Sequence, residues 1–74
     1  MAEFFPAEAI SDFKTLDDGD VLEGYLDGFH GAAAPDSTRS RGYWHGWQNG
    51  MIESRRMPPT PSYRQLAEAF RQLA

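Results

Sequence analysis

The segment GYLDGF at residues 24–29 returns as GYWHGW at residues 42–47, and this repeat decides how the 74-residue chain folds. The two copies are 18 residues apart, which equals five turns of an ideal helix. At 100° per residue, each copy places its aromatic side chains on one stripe of a helix and its glycines on the adjacent edge. The repeat therefore predicts two helices that pack against each other.

The glycines need a physical reason, because each one inside a helix costs about 1 kcal/mol relative to alanine. We expect close approach of the two backbones, with the rings of each helix lying over the glycine edge of the other. Small-xxx-small spacing has the same steric logic in membrane helices. If the glycines belonged to irregular loops, the aromatic spacing would be a coincidence. The predicted helix-packing motif consists of Gly24, Tyr25, Gly28, Phe29, Gly42, Tyr43, Gly46, Trp47 and Gly50.

Four helical segments follow from apolar spacing and capping residues, at about 6–16, 21–30, 38–56 and 63–73. Pro6 suits a first turn, and Gly31 is expected to end the second helix. No alternating apolar pattern predicts a strand. The expected N-caps are Asp20 for the second helix, Asp36 or Ser37 for the third, and Thr60 or Ser62 for the last.

A chain of this length forms one domain with a thin stability margin, and it has no cysteine to staple it. We divide it into an acidic N-terminal segment (1–19), a helix-loop-helix (20–57), and a Pro-rich connector with an amphipathic helix (58–74). The expected fold is all-α, a small antiparallel helical hairpin on which the N-terminal segment and the C-terminal helix pack. The apolar stripe of that last helix, Tyr63, Leu66, Phe70 and Leu73, could instead form a homodimer.

The net charge of −4 hides an asymmetry between the two halves of the chain. Residues 1–36 hold nine acids and a single lysine, whereas residues 37–74 hold six arginines and two acids. This division predicts either two faces with different partners or halves that attract each other. The acidic third could cover the basic surface as an internal mimic of RNA, or contact a basic protein.

The pattern Gly-Tyr-x-x-Gly-x-x-Gly, a Pro-containing loop, and an aromatic residue three positions before Gly-Trp resembles bacterial ribosome modulation factor and its small relatives. The resemblance covers about residues 20–56 and has moderate specificity. The matching residues are Gly24, Tyr25, Gly28, Gly31, Pro35, Tyr43, Gly46 and Trp47, with Gly50 where a small residue is expected.

This resemblance implies an antiparallel helix pair that binds the small ribosomal subunit near the messenger-binding region and promotes inactive, paired ribosomes in slow growth. The chain departs from the family in three places. Acids replace the basic residues that precede the first Gly-Tyr in the best-known members, the loop is shorter, and the segment from Pro58 onward is additional. These departures leave a second function open, a protein-binding module or small inhibitor that keeps the fold without binding RNA.

RNA binding needs cations for phosphates and aromatic faces for unpaired bases. Trp44 is expected at the edge of the buried stripe, where it would be partly exposed. The C-terminal position of Arg55 and Arg56 on their helix is also explained by the macrodipole alone. The predicted RNA- or partner-binding residues are Arg39, Arg41, Tyr43, Trp44, Arg55 and Arg56.

No catalytic constellation and no cofactor site is expected. His30 and His45 have no ligand partner at helical spacing, so we predict no metal, and His45 is expected on the polar side of the third helix. The chain has no segment of about 20 apolar residues and no secretory signal. The sequence therefore predicts a non-enzymatic, cytoplasmic protein that does not bind membranes, with the ribosome or ribosomal RNA as partner and a protein partner as the alternative.

Overall fold

The computed structural model describes residues 4–73 of the chain, and its regular elements are four α-helices. They are α1 (Ile10–Phe13), α2 (Asp18–Phe29), α3 (Arg41–Glu53) and α4 (Pro61–Arg71). Within the described residues there is no strand, which confirms the all-α prediction. None of these helices combines the length and the apolar character that a bilayer span requires.

α2 and α3 cross with their backbones in direct contact. A Cβ atom built on Gly24 would lie 2.8 Å from the carbonyl carbon of Tyr43, and one built on Gly46 would lie 2.8 Å from the carbonyl carbon of Val21. Real Cβ atoms essentially never come within 3.0 Å of such atoms, so only glycine permits this approach. The predicted packing of two glycine-edged helices is confirmed. The atoms nearest the glycines belong to the backbone of the other helix, whereas the expectation was that aromatic rings would cover them.

The two helices run in the same direction, whereas we expected an antiparallel hairpin. Contacts advance together along both helices, since Val21 lies against Gly46 and Tyr25 lies against Gly50. The connection makes this possible. Residues 30–40 can span about 33 Å when extended, and the chain needs to return along only about 18 Å of α2.

The structural repeat in this helix pair is 22 residues, where the motif predicted 18. Gly24 is equivalent to Gly46 and Gly28 to Gly50, because each pair meets carbonyl oxygens at matching positions of the opposite helix. Such recurrent Cα–H···O contacts are typical of close helix crossings. Gly42 belonged to the predicted packing motif but lies outside the crossing, where a Cβ atom would meet its nearest neighbours at an ordinary 3.4 Å. Phe29 belonged to the same motif, but its side chain is 40% exposed and is not part of the buried core.

The first predicted helix is wrong over most of its length. Instead of residues 6–16, α1 covers a single turn, and residues 4–8 form no helix. The N-cap position is Ala9, whose methyl side chain cannot accept a hydrogen bond from the first free N–H groups. Pro6 therefore does not begin a helix.

Each of the other three helices begins after a residue whose side chain caps it with a local hydrogen bond. Asp17, not Asp20, caps α2, and its carboxylate accepts from the backbone N–H of Asp20 at 2.9 Å. Ser40 caps α3, so the prediction of Asp36 or Ser37 is wrong. The carboxylate of Asp36 instead closes a local turn with the next residues. The expected cap of α4, Thr60, is confirmed, with Pro61 in its first turn.

Both helices of the pair end in a left-handed residue that closes a six-to-one hydrogen bond. Gly31 has φ +83° and ends α2 as predicted, with the N–H of Ala32 donating to Asp27. Arg55 takes the same role after α3, at φ 65°, and the N–H of Arg56 donates to Met51. Glycine is the usual residue at this position because a side chain is strained there. α3 therefore ends at Glu53 instead of continuing to residue 56.

Residues 4–9, α1 and α4 pack against one another and against α3. Phe13 lies against Phe70 with ring centroids 5.4 Å apart and perpendicular planes. Leu66 is the buried anchor of α4, whereas Leu73 is 71% exposed. The expected packing of the C-terminal helix on the helix pair is thus made by the middle of its apolar stripe. The buried hydrophobic residues are Ala7, Tyr43, Trp47, Ile52 and Leu66.

Candidate functional site

Arg41 begins α3 and is held by the N-terminal segment. Its guanidinium makes two parallel hydrogen bonds to the carboxylate of Asp12, at 2.7 and 3.0 Å, and its Nε donates to the carbonyl oxygen of Phe5 at 2.6 Å. Two-pronged pairs of this kind combine charge with fixed geometry. The hydrogen bonds from Arg41 lower the pKa of Asp12, and the same contacts raise the pKa of Arg41. The attraction between acidic and basic halves, one of the two predictions from the charge asymmetry, is visible here.

Trp44 lies one turn further along α3 and is half-buried, in agreement with its predicted place at the edge of the stripe. Its ring is stacked on that of Phe4, with centroids 5.4 Å apart and planes inclined by only 9°. Phe4 is the residue before Phe5, which contacts Arg41. One short stretch of the N-terminal segment therefore covers both the indole face and the guanidinium. We call Arg41 and Trp44, with the atoms that cover them, the covered surface.

Arg39 and Tyr43 form a second cluster, on the side of α3 that faces α2. The Cζ atom of Arg39 lies 3.7 Å above the centre of the Tyr43 ring, and a guanidinium nitrogen pairs with Glu23 at 3.0 Å. The Tyr43 hydroxyl donates to Asp27 at 2.6 Å, which raises the pKa of that tyrosine. Because its ring is buried, Tyr43 serves helix packing in this conformation and offers no face on which a base could stack.

Arg55 and Arg56 lie at the opposite end of α3. Arg56 donates to the carbonyl oxygen of Phe29 at 2.7 Å, so it caps the C-terminus of α2 where a positive charge is favoured. Nearby, the carboxylate of Glu53 accepts hydrogen bonds from the hydroxyls of Tyr25, at 2.9 Å, and Tyr63, at 3.4 Å. These contacts join three helices at one end of the molecule. They also raise the pKa of Tyr25, chiefly through the hydrogen bond to Glu53.

The predicted binding residues thus fall into two groups, not one surface. Arg39 and Arg41 lie near the N-terminus of α3, and Arg55 lies beyond its C-terminus, separated by a helix about 20 Å long. The sequence analysis did not identify Phe4 and Asp12, which contact Trp44 and Arg41 in the first group. Charge asymmetry was the only available signal for Asp12, and it could not tell which acid would meet which arginine.

His45 corrects another prediction, because its side chain is buried and not on the polar side of α3. The residue is 6% exposed, lies 5.2 Å from the Phe13 ring, and has its Nε2 within 3.3 Å of the Asn49 side-chain nitrogen. It lines a cavity of about 180 Å³ between α1, α3 and α4. Burial lowers the pKa of His45, and the nearby positive charge of Arg41 acts in the same direction. Within residues 4–73, no group of three potential metal ligands is found.

The buried histidine predicts a stability that depends on pH. The unfolded chain binds a proton at His45 below about pH 6.5, whereas the folded chain resists it. We therefore expect the free energy of unfolding to be highest above pH 7 and to decrease as the pH falls from 6.5 to 5, by at most about 1.4 kcal/mol per pH unit. Urea denaturation at pH 7.5, 6.5 and 5.5 measures this. His45→Gln should flatten the dependence and His30→Gln, which changes an exposed histidine, should preserve it. An equal slope in all three proteins contradicts the assignment.

No family model, curated protein or solved structure matches this chain. The fold and the side-chain contacts define a class only: a small all-α protein built on a glycine-mediated pair of parallel helices. This helix pair carries the covered surface at the start of α3, and Arg56 caps the C-terminus of α2 at the other end.

Proposed function

We propose that this chain is a non-enzymatic, cytoplasmic protein that binds RNA on the ribosome and modulates translation, in the manner of ribosome modulation factor. The resemblance in the Gly-Tyr and Gly-Trp motifs supports the proposal. The glycine-mediated packing of α2 and α3 supports it as well, since these motif residues are the ones that build the helix pair. The parallel direction of the helices is a departure from what the resemblance implies.

The proposal rests on the two side chains of the N-terminal segment that contact the covered surface, the Phe4 ring on Trp44 and the Asp12 carboxylate on Arg41. Trp44 already holds a flat ring in parallel stacking, and Arg41 already holds an anion in a two-pronged pair. An unpaired nucleotide presents the same two groups, a base with two faces and an anionic phosphate. RNA would therefore take the positions that Phe4 and Asp12 occupy.

RNA binding by the covered surface requires that the acid already paired with its arginine be displaced. Arg41 and Arg39 are each paired with an acid, so RNA must replace a carboxylate by a phosphate on the arginine it contacts. Displacement of the N-terminal segment is then part of binding, and the apparent affinity scales with the fraction of molecules whose surface is open. Arg55 adds a cation at a backbone position where glycine would be less strained.

Releasing Arg41 should strengthen RNA binding. We expect Asp12→Asn to raise the affinity for purified small ribosomal subunits by roughly three- to tenfold, because the competing carboxylate is lost. Co-sedimentation at about 50 and 200 mM salt measures this, since phosphate contacts weaken with salt.

Asp18→Asn is the matched control, because it removes the same charge from an exposed residue at the start of α2. It should change the affinity by less than twofold. If neither the unmodified protein nor Asp12→Asn binds subunits at the lower salt, RNA binding is wrong. If both bind equally, the protein binds RNA but the displacement model is wrong.

A protein-binding module remains the second candidate, and one observation favours it. Three of the predicted RNA-binding arginines, Arg39, Arg41 and Arg56, make contacts within the chain. The same co-sedimentation experiment separates the candidates, because a module without RNA affinity would not bind subunits through the covered surface.

A further inference from the structure

The outward face of α2 is apolar although it is exposed. Leu22, Leu26 and Phe29 follow one another on successive turns and are 59%, 49% and 40% exposed. They lie on the side of α2 opposite to Gly24 and Gly28, which contact α3. We call these three residues the outer stripe.

The outer stripe is not part of the buried core, which contains none of its members. A single exposed leucine needs no explanation, but large apolar residues at i, i+4 and i+7 are the spacing by which helices anchor in protein complexes. Phe29 extends the stripe to the ring of Tyr25, 5.8 Å away.

The charges of α2 indicate which kind of partner would bind the outer stripe. The helix carries four acids, Asp18, Asp20, Glu23 and Asp27, and has neither lysine nor arginine. Glu23 is paired with Arg39 and Asp27 accepts from the neutral Tyr43 hydroxyl, so α2 keeps an excess of negative charge. A second copy packed through the same face would bring two such helices together, and their acids would outnumber Arg39 and Arg56, the arginines that contact α2, so like-charge repulsion would prevail. A basic helix would place opposite charges there.

We propose that the outer stripe docks an amphipathic helix of a basic protein, with apolar anchors on Leu22, Leu26 and Phe29 and with lysine or arginine flanking them towards the acids of α2. This interaction is independent of RNA binding by the covered surface, because the outer stripe belongs to α2 whereas Arg41 and Trp44 belong to α3.

The test uses the full ¹⁵N-labelled chain and three synthetic helical peptides of equal length. The first has a leucine stripe flanked by lysines, the second has the same stripe flanked by glutamates, and the third contains the lysine peptide's residues in an order that destroys the stripe. Only the first should shift the amide resonances of α2, and its affinity should decrease as salt is added.

Leu22→Ser/Leu26→Ser should weaken binding of the lysine peptide at least tenfold. Both side chains are exposed, so the fold should persist, and the amide spectrum verifies this. Leu73→Ser is the matched control, because it makes the same change at an exposed leucine that follows α4. It should leave peptide binding unchanged.

Four results would overturn the proposal: equal binding of the glutamate or scrambled peptide, resonance shifts outside α2, an equal effect of Leu73→Ser, or a dimer in sedimentation equilibrium that the double variant abolishes. The last result would assign the outer stripe to a second copy. Co-sedimentation of the double variant with ribosomal subunits should match that of the unmodified protein, so the failure of this proposal can be distinguished from the failure of RNA binding.

Discussion

Gly46→Ala should lower the free energy of unfolding by about 3 kcal/mol or more, although alanine is the better helix former. The added Cβ atom would overlap the carbonyl oxygen of Val21 and lie 2.8 Å from the backbone nitrogen of Tyr25. Backbone atoms cannot move aside as a flexible side chain can, so α2 and α3 must separate. A domain of this length is stabilised by only about 4–11 kcal/mol, so the loss is a large part of the total.

Gly42→Ala is the matched control, since it adds the same methyl group to the same helix four residues earlier. Its Cβ atom would meet only ordinary contacts, at 3.4 Å and beyond. We expect a change within about 1 kcal/mol, with stabilisation the favoured sign because glycine is the weaker helix former. Urea denaturation followed by circular dichroism measures both variants. Equal effects of the two substitutions would show that the crossing does not depend on close backbone contact.

Trp47→Ala should cost about 3–5 kcal/mol, the range for truncating a buried large aromatic residue. Trp47 is 7% exposed, and its Nε1 donates to the carbonyl oxygen of Ala32 at 2.8 Å. The substitution leaves a cavity beside the helix crossing and removes the hydrogen bond that ties the connecting loop to α3. Both losses act on the loop that allows the helices to run parallel.

Trp44→Ala provides the comparison, because the two tryptophans are separated by less than one turn of the same helix. Trp44 is half-buried and stacks on one ring, so its loss should cost about 1–2 kcal/mol. Trp44→Ala should fold and bind ribosomal subunits more weakly, whereas the main defect of Trp47→Ala is unfolding. A larger destabilisation by Trp44→Ala would contradict the burial assigned to the two side chains.

The charged residues at the two ends of α2 complement its helix dipole. Both N-termini lie at one end, where Asp18 and Asp20 occupy the first turn of α2. Both C-termini lie at the other end, where Arg56 binds the last turn of α2. Both groups therefore complement the partial charge at their end of α2, whereas α3 has Arg41 at its first position and Glu53 at its last.

The sequence by itself determined the helical class, the two helices that pack, and several of their ends. Glycine at every turn and aromatic residues beside it are local signals, and so are the Thr60 cap and the Gly31 stop. They are readable because capping and steric access depend on residues within one or two turns.

Only the tertiary structure decided the direction of the helices, the 22-residue register, the burial of His45, and the pairing of Arg41 with Asp12. Each of these features depends on which of several similar helix faces or charged groups come into contact in the folded chain. Such a choice is made by the summed packing and charge of the whole chain, because the sequence offers eleven acids for the arginines and glycines on more than one edge. The single-turn α1 belongs here too, since the N-terminal segment is held by contacts with α3 and not by helix propensity.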